Sequence, residues 1–350
     1  MKSFFKRSKA TLGLDVGSGF VKGVLIDHSG PEPVVSRIGY MPLVADAIVE
    51  GEIMDPSQVV DTIRALVESM GVSSKSVVTA VGGRDVIVKK IPMDRMSEDD
   101  ARDVIRWEAE QYVPFDMEGV QLDFQILDPQ AEGLQMNVLL VAAKRDLVDQ
   151  KVMLLKDSGI QASVVDVDAF ALYNAFEYNY PDLSSRSTIG LVNVGHELST
   201  IILVHDGVPM VTRDLPLGTR HLREDLRRRH GLSADEADAV LNGTSARADE
   251  FTEVFRDRSE ELAMGLERAL AFLSVDDHGG RGLGSVYLSG GGVRIPRLGE
   301  AIASRLQVRV EIANPLQRLQ VHPDAVASFP ADELSSMLML PIGLALRAAA

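Results

Sequence analysis

Apolar and polar residues alternate along this chain with two different periods, one typical of strands and one typical of helices. Residues 12–27, LGLDVGSGFVKGVLID, contain two short apolar runs joined by Asp-Val-Gly-Ser-Gly, which is the pattern of two adjacent strands and a tight turn. Residues 188–206, TIGLVNVGHELSTIILVHD, repeat the order of strand, glycine-containing turn and β-rich run. Because the chain contains two such hairpins, we predict two related lobes that face each other.

A repeat of about 3.6 residues in the apolar positions predicts helices between these strands. Residues 56–70 place their apolar side chains on one helical face, and Ser97 with Asp100 forms a capping-box pattern before a helix that Pro114 ends. This alternation of elements indicates an α/β protein. We predict further helices over 144–158, 168–178, 217–230, 233–241, 250–273 and 293–306, and further strands over 34–40, 120–127, 136–143, 161–167 and 285–289.

The 350 residues are enough for about two domains with a large buried core. The most linker-like stretch is residues 181–187, so we place the boundary between the lobes near Pro181. The first lobe is predicted to cover residues 1–180 and to include a small α+β insertion at about 85–160, and the second lobe is predicted to cover residues 181–350.

Composition restricts the classes of partner. The 51 acidic residues outnumber the 36 Lys and Arg residues, and the formal charge of −15 argues against general nucleic-acid binding. The absence of cysteine excludes a disulfide and a thiolate metal site and fits a cytosolic protein, and the seven histidines lack metal-ligand spacing. The basic start, MKSFFKRSKA, lacks the apolar stretch of a signal peptide, and no window is apolar over a length that spans a membrane.

The turn of the first hairpin has residues that suit an anion. Gly17 and Gly19 carry no side chain where the backbone must approach a phosphate closely, and the amides of the turn, with Ser18, can donate hydrogen bonds to it. Asp15 ends the first strand, where a single carboxylate together with phosphates is enough to hold Mg²⁺. Lys22 can neutralise phosphate charge. A glycine-rich hairpin without a ligand is the alternative.

The second half of the chain offers equivalent positions and a third glycine-rich segment. The second hairpin can bring its backbone close to a phosphate, and the run of three glycines can lie flat against a planar group before a helix whose positive end points into a cleft. An ordinary hairpin and a flexible turn are the alternatives. The candidate ligand-binding residues of this half are Asn193, Gly195, Thr200, Gly290, Gly291 and Gly292.

The order of these segments is strand-turn-strand, a helix near Asp168, strand-turn-strand and then strand-GGG-helix, and it resembles the actin-like nucleotide-binding superfamily. Within that superfamily, WEAEQYVPFDMEGVQLDFQIL at 107–127 and VDVDAFALYNAF at 165–176 are similar to the PilM family of type IV pilus assembly proteins. The likeness extends from residue 12 to GLALR at 343–347. It implies an α/β, two-lobed actin-like (ribonuclease H-like) nucleotide-binding fold with an inserted small α+β subdomain.

The resemblance implies an ATP-binding scaffold for pilus biogenesis and twitching motility, with ATP and Mg²⁺ as cofactors and Asp15 as the metal ligand. It places a phosphate loop in each hairpin and the adenosine along residues 290–292. The implied partner is the cytoplasmic N-terminal peptide of a PilN-like membrane protein, bound in a groove between the first lobe and the insertion with residues 86–93 as a wall. The protein would then be cytoplasmic and peripheral at the inner membrane through its partners, which include the pilus inner-membrane complex and its motor ATPases.

Two departures from the family pattern leave ATP hydrolysis open. Asn193 stands where relatives usually carry Asp, and Gly265 aligns with an acidic residue that faces the ribose. Asp166 and Asp168 are the candidates for orienting an attacking water, with helix capping and surface charge as the alternative roles. We therefore expect hydrolysis to be weak or absent.

Two other functions of the same superfamily stay open. An FtsA-like division filament protein shares a relocated insertion but ends in a basic amphipathic helix, whereas this chain ends in ALRAAA. A small-molecule kinase would need Asp166 or Asp168 to accept a proton from a substrate hydroxyl, and the PilM-like insertion argues against it. The type II secretion machinery is an alternative setting for the scaffold itself.

Overall fold

Sixteen strands and eleven α-helices are defined in the part of the chain that this computed structural model describes, residues 10–72, 76–129, 133–184, 188–241, 244–276, 282–326 and 335–347. The strands are β1 (Ala10–Val16), β2 (Phe20–Asp27), β3 (Val34–Pro42), β4 (Ile48–Val49), β5 (Glu52–Ile53), β6 (Val77–Val81), β7 (Val86–Asp94), β8 (Val120–Ile126), β9 (Gln135–Lys144), β10 (Ala162–Val167), β11 (Thr188–Val194), β12 (Ser199–His205), β13 (Val208–Leu215), β14 (Leu283–Ser289), β15 (Arg309–Ile312) and β16 (Gln320–Val321). The helices are α1 (Pro56–Met70), α2 (Glu98–Glu110), α3 (Arg145–Asp157), α4 (Asp168–Asn179), α5 (Pro181–Ser184), α6 (Thr219–His230), α7 (Ala234–Leu241), α8 (Thr252–Asp276), α9 (Leu298–Leu306), α10 (Pro323–Val326) and α11 (Met339–Leu346).

Each lobe is built on a sheet with the same arrangement of strands. The first sheet has the order β10-β6-β1-β2-β3-β16, and the second has the order β13-β12-β11-β14-β15. In both sheets an antiparallel meander of three strands pairs through its first strand with a parallel strand, which is β6 in one lobe and β14 in the other. The two predicted hairpins are therefore corresponding parts of two lobes, and Asp15 opposite Lys22 corresponds to Asn193 opposite Thr200.

A third sheet, β7-β9-β8, forms the α+β insertion together with α2. Its strands are antiparallel, and its own core contains Ile91, Leu140 and, from α2, Ile105. The insertion ends with β9 at Lys144 and not near residue 160 as predicted. The reason is that α3 turns its apolar face to the first lobe, where Leu155 is fully buried.

The described end of the chain returns to the first lobe, although residues 181–350 were predicted to form the second. The strand β16 pairs in parallel with β3, and α11 packs on α4 and β1. Seven of the eight residues of α11 are buried, so this helix has no polar face with which to lie on a surface. Gly343 approaches the backbone of Ala171 so closely that a side chain there would have no room.

Two predictions about single elements are wrong. Residues 181–184 form the short helix α5 and not a linker, while residues 185–187 lie outside the described part of the chain. The helix predicted from residue 293 begins at Leu298, because a 3₁₀ turn at Gly291–Arg294 and the left-handed Arg297 (φ 65°) come first. None of the described helices combines the length and the apolar character needed to cross a membrane.

Candidate functional site at the cleft between the hairpins

The turns of the two hairpins face each other across a cavity of about 960 Å³, here called the cleft. Both turns close in the same way: the amide of Gly17 donates to the carbonyl of Phe20 at 3.1 Å, and the amide of Gly195 donates to the carbonyl of Leu198 at 2.9 Å. Ten of the predicted ligand-binding residues, together with the catalytic candidate Asp168, line this cavity. They are Asp15, Gly17, Ser18, Gly19, Lys22, Asn193, Gly195, Thr200, Gly290 and Gly291.

The first hairpin places a carboxylate and a cation side by side at the cleft. Asp15 is buried at the end of β1, and the Lys22 ammonium lies 2.6 Å from its Oδ2 atom. At the turn, a Cβ atom on Gly19 would lie 3.0 Å from Cβ and Cγ of His196 in the opposite turn. The two turns are therefore close enough to contact one ligand group together.

The second hairpin holds polar groups in fixed positions through neighbouring strands. The Ser289 hydroxyl at the end of β14 donates to Oδ1 of Asn193 at 3.1 Å, and the Thr200 hydroxyl donates to Oδ1 of Asp214 at 2.7 Å. The Asn193 carboxamide thereby ties the hairpin to the glycine-rich loop. A neutral amide at this position brings no charge with which to bind a metal ion.

Only two of the three consecutive glycines reach the cleft. Gly290 has a φ of 89°, and a Cβ atom there would lie 2.8 Å from Oδ1 of Asn193. Gly291 has open space on its cleft side, whereas Gly292 is buried against the side chain of Val194. The prediction that Gly292 lies along a ligand is therefore wrong, and α9 begins too late for its N-terminus to follow these glycines directly.

The two predicted catalytic acids lie on different sides of the first lobe. Asp168 lines the cleft at the start of α4. Asp166 is buried outside the cleft, where its Oδ1 atom lies 2.7 Å from the Arg347 guanidinium, so it cannot orient a water in the cleft. The strand β10 ends at Val167 between the two, and the change to a helix turns their side chains apart.

Burial and neighbouring charges shift the pKa values of three ionisable side chains in the cleft. Burial, together with the negative charges of Asp15 and Asp214, raises the pKa of the Asp168 carboxyl to about 7, against the opposing effect of Lys151 and Lys22. Burial likewise lowers the pKa of the Lys151 ammonium. Burial also raises the pKa of Asp214, although its hydrogen bond from Thr200 acts in the opposite direction.

Several residues that line the cleft were not identified from the sequence. Lys151 comes from α3, which was assigned to the insertion, and Asp214 ends β13, a strand that no prediction covered. On the second-lobe wall, the Arg223 guanidinium lies 2.7 Å from Asp238. Gly265 is not at the cleft, because its face of α8 packs on the Leu215 side chain. A strand signal over 208–215 in the sequence would have identified Asp214.

The rim of the cleft carries a contact between the lobes. The Arg220 guanidinium, at the start of α6, lies 2.6 Å from the buried Glu197 and 2.9 Å from Asp46 of the first lobe. The Glu50 amide, also in the first lobe, donates to Glu197 at 2.6 Å. We call this group the rim contact, and it joins the two lobes at the edge of the cleft.

The cleft fits a nucleotide better than it fits a bare metal ion. Its volume lies in the range of small-molecule sites, and its glycine turns leave backbone amides open to an anion. Among the described residues, no group of three His, Asp or Glu side chains is arranged to hold a metal ion. One carboxylate, Asp15, is what a Mg²⁺ ion needs when phosphates supply the remaining charge.

A second cavity, of about 1480 Å³, lies between the insertion and the first lobe and is here called the groove. Residues 86–93, the predicted wall, do not line this cavity: Val86 and Val88 pack on the core cluster shared by the two lobes, and Ile87, Ile91 and Met93 face the insertion's own core. The strand β8 is at the edge of its sheet and supplies one wall instead. The groove is lined by residues 121–125 of β8, Leu139 and Val141 of β9, Phe170 and Tyr173 of α4, and the turn 207–209 of the second lobe.

Comparison with known proteins relates this architecture to a family. Residues 13–349 match the family described as type IV pilus assembly protein PilM. The structure is similar to that of a PilM-PilN type IV pilus biogenesis complex, with a TM-score of 0.84 and 26% identity over 98% of this chain and 99% of the other.

More distant structures share the fold. The ethanolamine utilization protein EutJ from Carboxydothermus hydrogenoformans aligns with a TM-score of 0.57 and 17% identity over 96% of this chain and 89% of EutJ. MreB 5 of Spiroplasma citri, solved with AMPPNP, aligns with a TM-score of 0.53 and 12% identity over 96% of this chain and 94% of MreB. These similarities confirm the predicted actin-like fold. Because the family match spans nearly the whole sequence, the chain belongs to the PilM family of type IV pilus assembly proteins.

Proposed function

We propose that the protein is an ATP-binding scaffold of the type IV pilus assembly machinery, and that its groove binds the cytoplasmic N-terminal peptide of a PilN-like membrane protein. The observation that carries the proposal is the similarity, over 98% of the chain, to a PilM protein solved together with PilN. Such a partner would bring the protein to the cytoplasmic face of the inner membrane.

The cleft residues divide into those that contact phosphates and those that contact the adenosine. The turn amides at Ser18 and Gly19 donate to phosphate oxygens from one side, and amides of the turn that follows Gly195 donate from the other. Gly290 and Gly291, which line the cleft next to Asn193, leave room for the adenosine. In this orientation, the missing side chain of each glycine in the two turns and in the loop at 290–291 leaves space for a part of the nucleotide.

Asp15 and Lys22 exchange partners when a nucleotide enters. In their present contact, at 2.6 Å, each neutralises the other at the bottom of the cleft. Lys22 can turn to a phosphate oxygen and leave Asp15 to hold Mg²⁺ with the phosphates. The ion would supply charge neutralisation at the phosphates.

We expect hydrolysis to be weak because only one of the two predicted catalytic acids, Asp168, lies in the cleft. Asp168 can accept a proton from a water, but a pKa of about 7 leaves it protonated in roughly half of the molecules at neutral pH. Asn193 cannot replace a second carboxylate, and Asp166 lies outside the cleft. Slow turnover suits a scaffold whose bound nucleotide keeps the lobes closed.

The groove suits an extended peptide. Among the described strands, β8 pairs with β9 on one side and presents its other edge, so a peptide strand can add its main-chain hydrogen bonds there. Apolar side chains such as Val141 and Phe170 provide space for apolar side chains of the peptide. The PilM-PilN relative supports this choice of occupant.

Calorimetric titration tests the proposal. The purified protein is titrated with the cytoplasmic N-terminal peptide of the PilN-like protein from the same organism, with and without Mg-ATP. Dissociation constants in the micromolar range or below are expected for the peptide. No binding of the peptide in either condition, by a protein that binds ATP, would contradict the scaffold function and favour the filament or kinase alternatives.

A further inference from the structure

Helix α3 lines both the cleft and the groove. Lys151 faces the cleft, and Val148, one turn earlier, faces the groove. The beginning of α4 has the same double position, with Asp168 in the cleft and Phe170 in the groove. These are the places where a ligand in one cavity can act on the shape of the other.

No loop separates α3 from the insertion. The strand β9 ends at Lys144 and α3 begins at Arg145, so the strand that supplies Leu139 and Val141 to the groove continues directly into the helix. The junction is also anchored, because Lys144 forms an ion pair of 2.7 Å with Asp85. A shift of α3 therefore moves a wall of the groove with it.

The Lys151 ammonium can donate more hydrogen bonds than the structure shows it making. It donates a long 3.4 Å bond to the carbonyl of Val16, the residue before the first hairpin turn, and it lies in the field of Asp15 and Asp168. No ion pair within 4 Å joins it to any of the described carboxylates. An ammonium with three donors, partly exposed in the cleft, is suited to an anionic group.

Because the two lobes have corresponding loops, the position of Lys151 indicates which end of a bound nucleotide it would contact. The loop after β6, at Gly82, and the loop after β14, at Gly290, are equivalent in the two lobes and lie on opposite sides of the cleft. Gly82 is in contact with the Asp168 side chain, next to Lys151. With the adenosine at Gly290, the terminal phosphate would point towards Gly82 and Lys151.

We infer that Lys151 binds the terminal phosphate of the nucleotide and, through α3 and β9, makes the shape of the groove depend on whether that phosphate is present. The inference rests on the proposed function, since it takes ATP as the ligand of the cleft. It assigns to α3 a role in coupling two sites, and coupling of this kind acts equally in both directions.

The test compares wild-type protein with Lys151→Met, Lys151→Arg and the matched control Lys156→Met, which replaces an exposed lysine near the C-terminal end of α3. Affinities for ATPγS and ADP are measured by calorimetry. Loss of a charged hydrogen bond should weaken ATPγS binding by Lys151→Met roughly tenfold or more, while ADP affinity stays within about twofold. Lys151→Arg should restore most of the loss, and Lys156→Met should match the wild type.

Hydrogen exchange then reports on the groove without any peptide. We expect the β9 amides of wild-type protein and of Lys156→Met to exchange more slowly with ATPγS than with ADP, and this difference to vanish in Lys151→Met. Equal losses of ATPγS and ADP affinity would indicate a merely structural lysine and overturn the inference, as would a retained difference in exchange. Wild-type protein that binds neither nucleotide would overturn the proposed ATP site itself, and is distinguishable from both results.

Discussion

At the scale of single residues, Gly19 lies where the two hairpin turns meet. A Cβ atom there would be 3.0 Å from His196 of the opposite turn, beside the amides that we propose as phosphate ligands. We expect Gly19→Val to weaken ATP binding roughly tenfold or more, because hydrogen bonds to a charged group are worth about 1.5–3 kcal/mol each. Calorimetry with Mg-ATP measures the change. Gly30→Val, in an exposed turn whose nearest atom is 3.6 Å away, is the control and should bind ATP as the wild type does.

The Asp168 carboxyl predicts a pH dependence of stability. Its pKa rises from 3.8 to about 7 on folding, so between these values the folded protein holds a proton that the unfolded chain has lost. Stability therefore falls as pH rises through this window, by up to about 1.4 kcal/mol per pH unit for this group, and levels off above pH 7. Lys151 and Lys22 moderate the effect, whereas Asp15 and Asp214 increase it.

Urea unfolding of ligand-free wild-type protein and Asp168→Asn, from pH 5 to pH 8, measures this contribution. The stability of the neutral variant relative to the wild type should increase from pH 5 to about pH 7 and stay level from there to pH 8. A difference between the two proteins that stays constant across the range would show that Asp168 titrates normally.

Turn chemistry was enough to find the hairpin residues. The glycines at 17, 19 and 195 were predicted from the pattern of a glycine-containing turn between two strands, and the structure places all three at the cleft. Asp166 and Asp168 show where such reasoning ends. The two acids are two positions apart, yet the transition from β10 to α4 places one against Arg347 and the other in the cleft. Only the tertiary structure separates them.

At the scale of elements, α11 is the segment that closes the core of the first lobe. Gly343 packs against the Ala171 backbone, and an added methyl group would force α4 and α11 apart. We expect Gly343→Ala to lower the free energy of unfolding by about 1–3 kcal/mol, as overpacking does in well-packed cores. Chemical denaturation measures the change. Gly119→Ala, with open space around its Cβ position, should have little effect, and equal stability of the two variants would contradict this packing.

The sequence pattern of an element predicts whether it is a helix or a strand better than it predicts which other elements it packs against. The apolar face of α3 was clear from the sequence, but nothing in a 3.6-residue repeat says whether Leu155 meets the insertion or the first lobe. The triple glycine is similar. Gly292 was predicted to lie along a ligand, and Val194 of the neighbouring strand occupies that space instead.

At the scale of the whole molecule, the rim contact predicts that joining the two lobes increases the affinity for ATP. Arg220 joins Glu197 of its own lobe to Asp46 of the other. We expect Arg220→Ala to weaken ATP binding roughly two- to fivefold, because partly exposed ion pairs contribute about 0.2–1 kcal/mol each. The control is Arg305→Ala, which breaks an ion pair with Glu267 within the second lobe and should leave ATP affinity unchanged. Equal affinities of wild type and Arg220→Ala would contradict the contribution of the rim contact.

The doubled architecture was predictable because two hairpins in one chain imply two corresponding lobes. The sequence pattern alone did not show that β16 and α11 cross back to the first lobe. That return depends on burial: α11 is apolar on all sides and must lie inside a core, and the core open to it is the one built on β1 and α4. The groove beside α4 is likewise a product of this arrangement.

The measurement that most directly tests the central claim is site-specific cross-linking of the partner peptide to the groove. The chain has no cysteine, so a single introduced cysteine can carry a photoreactive benzophenone without background labelling. Gln125→Cys places the probe on β8 in the groove, and Gln58→Cys places it on an exposed position of α1, outside the groove.

Both labelled proteins are irradiated with the cytoplasmic N-terminal peptide of the PilN-like protein, in the presence of Mg-ATP. The predicted result is a cross-linked peptide at residue 125 that an excess of unlabelled peptide abolishes, and none at residue 58. Equal labelling at both positions, or labelling only at residue 58, would contradict the assignment of the groove as the peptide-binding site.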